Sequence, residues 1–254
     1  MKKWITIKDI TIGEGKPKIV VPIVGRTRAA IIESAISFKH EKMDMVEWRI
    51  DFYEEALNVE KVLETLVAIR SVIPEMPLIT TFRTQNEGGE KHITMPEYRA
   101  LNKAIAESGR TDIIDVELFS GDEVVKEILE CCHKNSVFVI ASNHDFSKTP
   151  SKDELIKRLC KMQTIGADLL KIAVMPTCTE DVLTLLEATH EMHKNYADRP
   201  IVTMSMSSLG VISRMAGEIF GSALTFGAVG QVSAPGQIPV EKLESVLQII
   251  HEAI

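Results

Sequence analysis

The chain has 254 residues, 45% of them hydrophobic and 26% charged, and carries a formal net charge of −7. That balance is ordinary for a globular protein and argues against general affinity for nucleic acid, which needs a basic surface to release counterions. No apolar run approaches the roughly 20 residues that would span a bilayer, while the length fits one α/β barrel, which takes roughly 250 residues, so a single domain over 1–254 is expected.

Met1-Lys2-Lys3 leads into the alternating Trp4-Ile5-Thr6-Ile7-Lys8 rather than the continuous apolar stretch of a signal peptide, so a cytoplasmic location is expected. Trp4 to Ile7 and Asp9 to Ile12 read as a short N-terminal β-hairpin that closes the base of the barrel. Short β-branched runs then recur at Ile19 to Val24, Met45 to Ile50, Leu78 to Phe82, Ile113 to Leu118, Ser136 to Ala141, Asp168 to Val174, Ile201 to Met204 and Ala223 to Phe226. Between them, helical periodicity marks segments such as Ala29 to His40, Val59 to Val72, Met95 to Glu107, Asp153 to Thr164 and Asp181 to Met192. Ser151 with Glu154 reads as a capping box, and Thr179 followed by Glu180 and Asp181 as an N-cap with two acids at a positive helix end.

Repeated β-α units imply a parallel sheet, and eight of them close most economically into a single (β/α)8 TIM barrel of the α/β class. An open doubly wound sheet would offer a glycine-rich phosphate turn, which the chain lacks. The cysteines, Cys131, Cys132, Cys160 and Cys178, lack zinc-site spacing and read as free thiols. His190 and His193 have a spacing that could hold a metal but read as surface residues.

In a barrel strand, alternate side chains face the helices and the axis. Val46, Trp48 and Ile50 share one face, leaving Glu47 and Arg49 on the other; Thr81 goes with Arg83, Asp115 with Glu117, Ser142 with His144, and Lys171 with Leu169 and Ala173. Polar side chains therefore converge on one interior, late in their strands, at the C-terminal mouth where barrel enzymes carry chemistry. Glu47, Asp115 and Glu117 could equally staple the strands together as an internal ion-pair network. A lysine inside Ala167-Asp168-Leu169-Leu170-Lys171-Ile172-Ala173-Val174 is desolvated and near arginines, conditions that lower its pKa and free the amine to attack a carbonyl. His144 has the titration range of a general acid or base and needs a carboxylate to orient it; Glu87, just past the third run, could reach it, although from its position alone it reads as a solvated loop acid.

Glu47-Trp48-Arg49-Ile50-Asp51, Thr81-Phe82-Arg83, Glu87-Gly88-Gly89, Ser142-Asn143-His144-Asp145-Phe146, Lys171-Ile172-Ala173-Val174-Met175-Pro176 and Ser233-Ala234-Pro235-Gly236-Gln237 together resemble, in order and spacing, the type I 3-dehydroquinate dehydratases. The resemblance runs from about residue 3 to the C-terminus. It implies a dehydration of 3-dehydroquinate to 3-dehydroshikimate, in the shikimate route to aromatic compounds, through a Schiff base on Lys171. His144 would shuttle the proton and Glu87 would hold its ring. Arg214 would pair with the substrate carboxylate, and Glu47, Arg49 and Arg83 would contact ring hydroxyls or order the charges. Ser233, Ala234 and Gln237 would form a lid, although from their pattern alone a plain surface loop is the better reading. Met204, Met206 and Phe226 would line an apolar wall, although ordinary core is an equal reading of these three from their pattern.

The resemblance also implies a homodimer, and the Schiff-base route requires no cofactor or metal. One departure stands out: Pro22 occupies a position where some relatives carry serine, which implies a small change in substrate binding. An alternative is another Schiff-base barrel lyase of the class I aldolase type, and a non-catalytic barrel that binds a hydroxy acid is a third reading.

Overall fold

Runs of β-branched residues bounded by turns become strands here because their alternate side chains have two apolar places to go, one under the helices and one on the barrel axis. The computed structural model describes residues 4–230 and 233–254; Met1 to Lys3, Gln231, Val232 and the side chain of His40 lie outside the described residues. The strands are β1 (Ile5–Ile7), β2 (Ile10–Ile12), β3 (Lys18–Ile23), β4 (Met45–Arg49), β5 (Leu78–Thr81), β6 (Ile113–Glu117), β7 (Phe138–Asp145), β8 (Leu169–Val174), β9 (Ile201–Ser205), β10 (Leu224–Ala228) and β11 (Ile238–Pro239). The helices are α1 (Arg28–Ser37), α2 (Val59–Val72), α3 (Met95–Glu107), α4 (Asp122–Lys134), α5 (Lys152–Thr164), α6 (Thr179–Glu191), α7 (Ile212–Met215), α8 (Gly217–Phe220) and α9 (Val240–Ala253).

Strands β10, β3, β4, β5, β6, β7, β8 and β9 succeed one another in parallel register, which is the expected TIM barrel. The remaining seam, β9 to β10, is held by an Ile201–Ser222 bridge, by the Ala223 N–H donating to the Ile201 carbonyl at 2.8 Å, and by the Thr203 N–H donating to Ser222 Oγ at 3.0 Å. Pairing of β10 with β3 ends at Phe226 and Val20, two residues short of Pro22, which has no N–H to extend the ladder. Pro22 is paired instead with Glu47 on the β4 side.

Two apolar layers result. The outer one, between sheet and helices, holds Val46, Trp48, Ile50, Ile114, Val116, Val139, Leu170 and Ile172. The inner one fills the barrel base with Val20, Met45, Ile79, Ile113, Ile140, Leu169, Val202 and Leu224, and Ile7 and Ile12 of the β1–β2 hairpin join it from below. The hairpin thus plugs the N-terminal end as expected.

Helix starts differ from expectation in two places. Ser151 accepts the Glu154 N–H, but the Glu154 side chain turns to Arg158 at 2.8 Å instead of completing a capping box. Helix α6 begins at Thr179 with Cys178 in the cap position, and Asp181 folds back onto the N–H and hydroxyl of Thr177. The reciprocal box occurs at Thr94 and Glu97, in front of α3. No helix among the described residues is long and apolar enough to cross a membrane.

Candidate active site

At the C-terminal mouth a cavity is lined by Glu47, Arg49, Arg83, Glu87, His144, Lys171, Met204, Met206, Arg214, Phe226, Ser233, Ala234 and Gln237, together with Gly88, Phe146 and Ala173. Every residue expected to act on or bind a substrate therefore reaches one space.

Lys171, only 3% exposed, extends from the middle of β8. Its Nζ donates to Asp115 Oδ2 at 3.0 Å, lies 3.6 Å from Glu47 Oε1, and sits 4.5 Å from the centre of the Phe226 ring. The sequence places arginines around this amine; the structure adds two carboxylates and an aromatic face that close its surroundings. Barrel closure brings β4, β6 and β8 side chains together although nothing in the chain's linear order pairs them.

Arg83 is the hub of the network beneath. It donates from Nη2 to Asp115 Oδ1 at 2.7 Å, and from Nη1 to Glu117 Oε1 at 2.9 Å and Ser142 Oγ at 3.0 Å. Burial opposes its charge, but Asp115, Glu117 and Glu87 outweigh burial and hold it firmly protonated, well above the usual arginine value. Burial would likewise favour neutral Asp115, yet Arg83 and Lys171 hold that carboxyl well below the ordinary carboxylate range. Asp115 and Glu117 do not line the cavity, so of the two readings left open for them the stapling one fits; Glu47, which accepts the Thr81 hydroxyl at 2.8 Å, does line it.

His144 sits near the end of β7, and its Nδ1 is 3.1 Å from Glu87 Oε2, which also accepts the His144 backbone N–H at 2.9 Å. Burial drives both groups toward their neutral forms. The Glu87 carboxyl is pushed up to about 8 by burial and Glu117, against Arg83 and the Asn143 amide. The His144 imidazole is held well below its usual value by burial, Arg83 and Lys171. Glu87 is placed by a short turn ending in Gly88 at φ +83°, where any β-carbon would run into the Phe146 ring. That contact makes Phe146, two residues after His144, part of the cavity wall, a place its sequence position alone does not assign.

Arg214 is brought in by the short α7, is 1% exposed, and has no carboxylate partner among the described residues. It donates to the Pro235 carbonyl at 2.9 Å and touches Met204 Sδ at 3.8 Å, while its Nε is left without a hydrogen-bond acceptor. Burial lowers its pKa to about 10. A buried cation without an acid is costly, and this one can pair with a negative charge brought into the cavity.

Beyond β10, Ser233, Ala234 and Gln237 border the cavity. Ser233 gives its carbonyl to Arg49 Nη1 at 3.3 Å, Pro235 gives its carbonyl to Arg214 and to the Ser207 N–H, and Ser233 and Gln237 bond to each other. At Gly236, φ +79°, a β-carbon would collide with the Ser207 carbonyl. Asp51, fully buried, is a partner that sequence reasoning missed: both its oxygens accept Arg49 at 2.9 Å, and they also take the N–H groups of Arg83 and Glu90. Its signal is its place two residues after Arg49 at the end of β4.

Among the described residues no group of three acidic, cysteine or histidine side chains is arranged to hold a metal ion. The free cysteines, Cys131, Cys132, Cys160 and Cys178, lie away from this cavity.

A sequence model described as type I 3-dehydroquinase matches residues 19–254. The chain is 57% identical to a 3-dehydroquinate dehydratase of Clostridioides difficile strain 630 over the full length of both, and 52% identical to one of Salmonella agona over 99% of this chain and all of that one. Among solved structures, it superposes with TM-score 0.98 on the type I 3-dehydroquinate dehydratase of Clostridium difficile, which contains covalently modified comenic acid, at 57% identity and full coverage of both chains. The Enterococcus faecalis 3-dehydroquinate dehydratase gives TM-score 0.91 at 42% identity, covering 96% of this chain and 98% of that one. A barrel mouth holding a buried lysine beside a histidine–glutamate pair, and a sequence match that begins at the first barrel strand and runs to the C-terminus, lead to the same conclusion: the chain belongs to the type I 3-dehydroquinase family.

Proposed function

We propose that the chain dehydrates 3-dehydroquinate to 3-dehydroshikimate by a syn elimination through an imine on Lys171. The observation that carries this reading is one cavity that holds a buried amine, a histidine already bonded to a carboxyl, and an arginine with no acid of its own. Arg214 takes the substrate carboxylate through its planar fork. Glu47 and Arg49 take ring hydroxyls, Arg83 keeps the surrounding charges in order, and Met204, Met206 and Phe226 cover the apolar side of the ring.

Once it has given up a proton, the Lys171 amine adds to the C3 carbonyl, and loss of water leaves an iminium that acidifies C2–H. His144 removes that proton, and the C2–H electron pair becomes the enamine. Collapse of the enamine expels the C1 hydroxyl, which leaves as water with the proton returned by His144. Water then hydrolyses the product imine and frees Lys171. Glu87 acts through His144 by orienting the ring, and the Ser233–Gln237 loop excludes bulk water while the imine exists. Pro22 offers no hydroxyl at its position, so its effect is confined to substrate affinity.

Adding 3-dehydroquinate and monitoring the ultraviolet absorbance of the conjugated product tests the reaction. Borohydride in the presence of substrate is expected to raise the protein mass by one trapped ligand on Lys171. His144→Ala is expected to form this adduct while turning over about 10²- to 10⁴-fold more slowly. A sugar phosphate cleaved in place of 3-dehydroquinate being dehydrated would restore the aldolase-type alternative. A homodimer in the cytoplasm accompanies this reading, supported by the resemblance, and sedimentation velocity tests the assembly.

A further inference from the structure

Outside the cavity, a chain of hydrogen bonds runs from helix α5 to the histidine. Arg158 Nε donates to Glu154 Oε1 at 2.8 Å, and its Nη1 donates to Asn143 Oδ1 at 2.8 Å. Asn143, 5% exposed, donates from Nδ2 to Glu87 Oε1 at 3.1 Å, and Glu87 Oε2 meets His144 Nδ1. The guanidinium also lies 5.5 Å from the centre of the Phe119 ring, which limits its movement.

The polarity of this chain is set at its outer end. Arginine has donors only, so the amide oxygen of Asn143 must face it. The amide nitrogen then faces Glu87, and Oε1 must accept. The Asn143 amide on Oε1 and the His144 N–H on Oε2 lower the Glu87 carboxyl against the burial that raises it, and with both oxygens accepting, the proton between Glu87 and His144 stays on Nδ1. The other ring nitrogen, Nε2, is then left with a lone pair. Were Oε1 to lose the Asn143 donor, the carboxyl would take up a proton more readily. With that proton on Oε2, the carboxyl would donate to Nδ1 and the imidazole hydrogen would lie on Nε2, where the ring cannot accept.

We propose that Arg158 is a positioning residue that sets the tautomer of His144 through Asn143 and Glu87. This rests on His144 carrying the proton in the proposed reaction. The other charges facing the pair, Arg83, Lys171, Asp115, Glu117 and Arg49, lie on neighbouring strands or just beyond them and are unchanged by substitution at 158.

The test uses Arg158→Met, which keeps the aliphatic stem but donates nothing, with Arg158→Lys as the variant that restores a donor. Nitrogen-15 spectra of the ligand-free protein, assigned with His144→Gln, read the tautomer without any reaction. The expected result is an Nδ1-protonated ring in the parent and in Arg158→Lys, and a gain of the Nε2-protonated form in Arg158→Met. With that change kcat falls about 10- to 100-fold while KM moves little, as for other outer-shell partners. Asn143→Leu is expected to behave as Arg158→Met does. An unchanged tautomer in Arg158→Met overturns the proposal, even if kcat falls. A changed tautomer with unchanged kcat upholds it and overturns the role of His144 in the reaction instead.

Discussion

Along β4 the inward side chains are Met45, Glu47 and Arg49; along β6 they are Ile113, Asp115 and Glu117; along β8 they are Leu169, Lys171 and Ala173. The first of each set packs in an apolar base with the hairpin isoleucines, and those two and four residues later enter the charged mouth or line its cavity. Both layers are almost free of solvent, yet they do opposite work. In the base, each buried aliphatic side chain contributes about 1.5–3 kcal/mol without need of a partner. In the mouth, the desolvation of Lys171, Arg83 and their acids offsets most of the attraction between them, so the network holds geometry more than it adds stability. Stability and chemistry are thus separated by a few residues of strand.

The largest expected break of this contrast is at the amine. Lys171→Ala should lower kcat by about 10⁴-fold or more, since a covalent route has no substitute nucleophile, and borohydride trapping should yield no adduct. Turnover within tenfold of the parent would remove the covalent mechanism.

Arg214→Met should cost about 10²- to 10³-fold in kcat/KM, because a desolvated charge pair with the substrate is lost. Its thermal midpoint should match or exceed that of the parent, since a buried guanidinium with no acid beside it opposes folding. A clear drop in the midpoint would show that Arg214 is a structural element first.

In the base the signs reverse. Ile140→Ala should lower stability by about 2–5 kcal/mol in urea unfolding and leave kcat/KM nearly unchanged at temperatures where the protein stays folded. A loss of activity in step with stability would mean that the two layers are not separable.

The smallest effect concerns pH. Because burial, Arg83 and Lys171 hold His144 well below its usual value, the imidazole remains neutral as pH falls through the ordinary histidine range near 6.5. The part of the acid limb of kcat/KM that belongs to His144 is therefore expected below about 6.5, apart from that of Glu87, and a His144-dependent inflection at about 6.5 would contradict the burial of the ring.

Much of the site was legible because a strand's period is two: once Val46, Trp48 and Ile50 claim the helix side, Glu47 and Arg49 have only the axis. The roles of Glu87, Arg214 and the Ser233–Gln237 loop came from the resemblance, since loop and short-helix residues carry no such alternation. Asp51 and Arg158 went unread for a different reason. Their partners, Arg49 and Glu154 excepted, lie on other strands and loops, such as Glu90 for Asp51 and Asn143 for Arg158, and linear order does not pair them.

The sequence by itself determined which residues face the axis and that a lysine sits among them, because alternation and strand order are local properties of the chain. Only the tertiary structure decided that Lys171 meets Asp115 and Glu47, that Arg214 is left without an acid, and that Arg158 reaches Glu87 through Asn143. Those pairings depend on the stagger at which the barrel closes, and that stagger is set by packing of all the strands together.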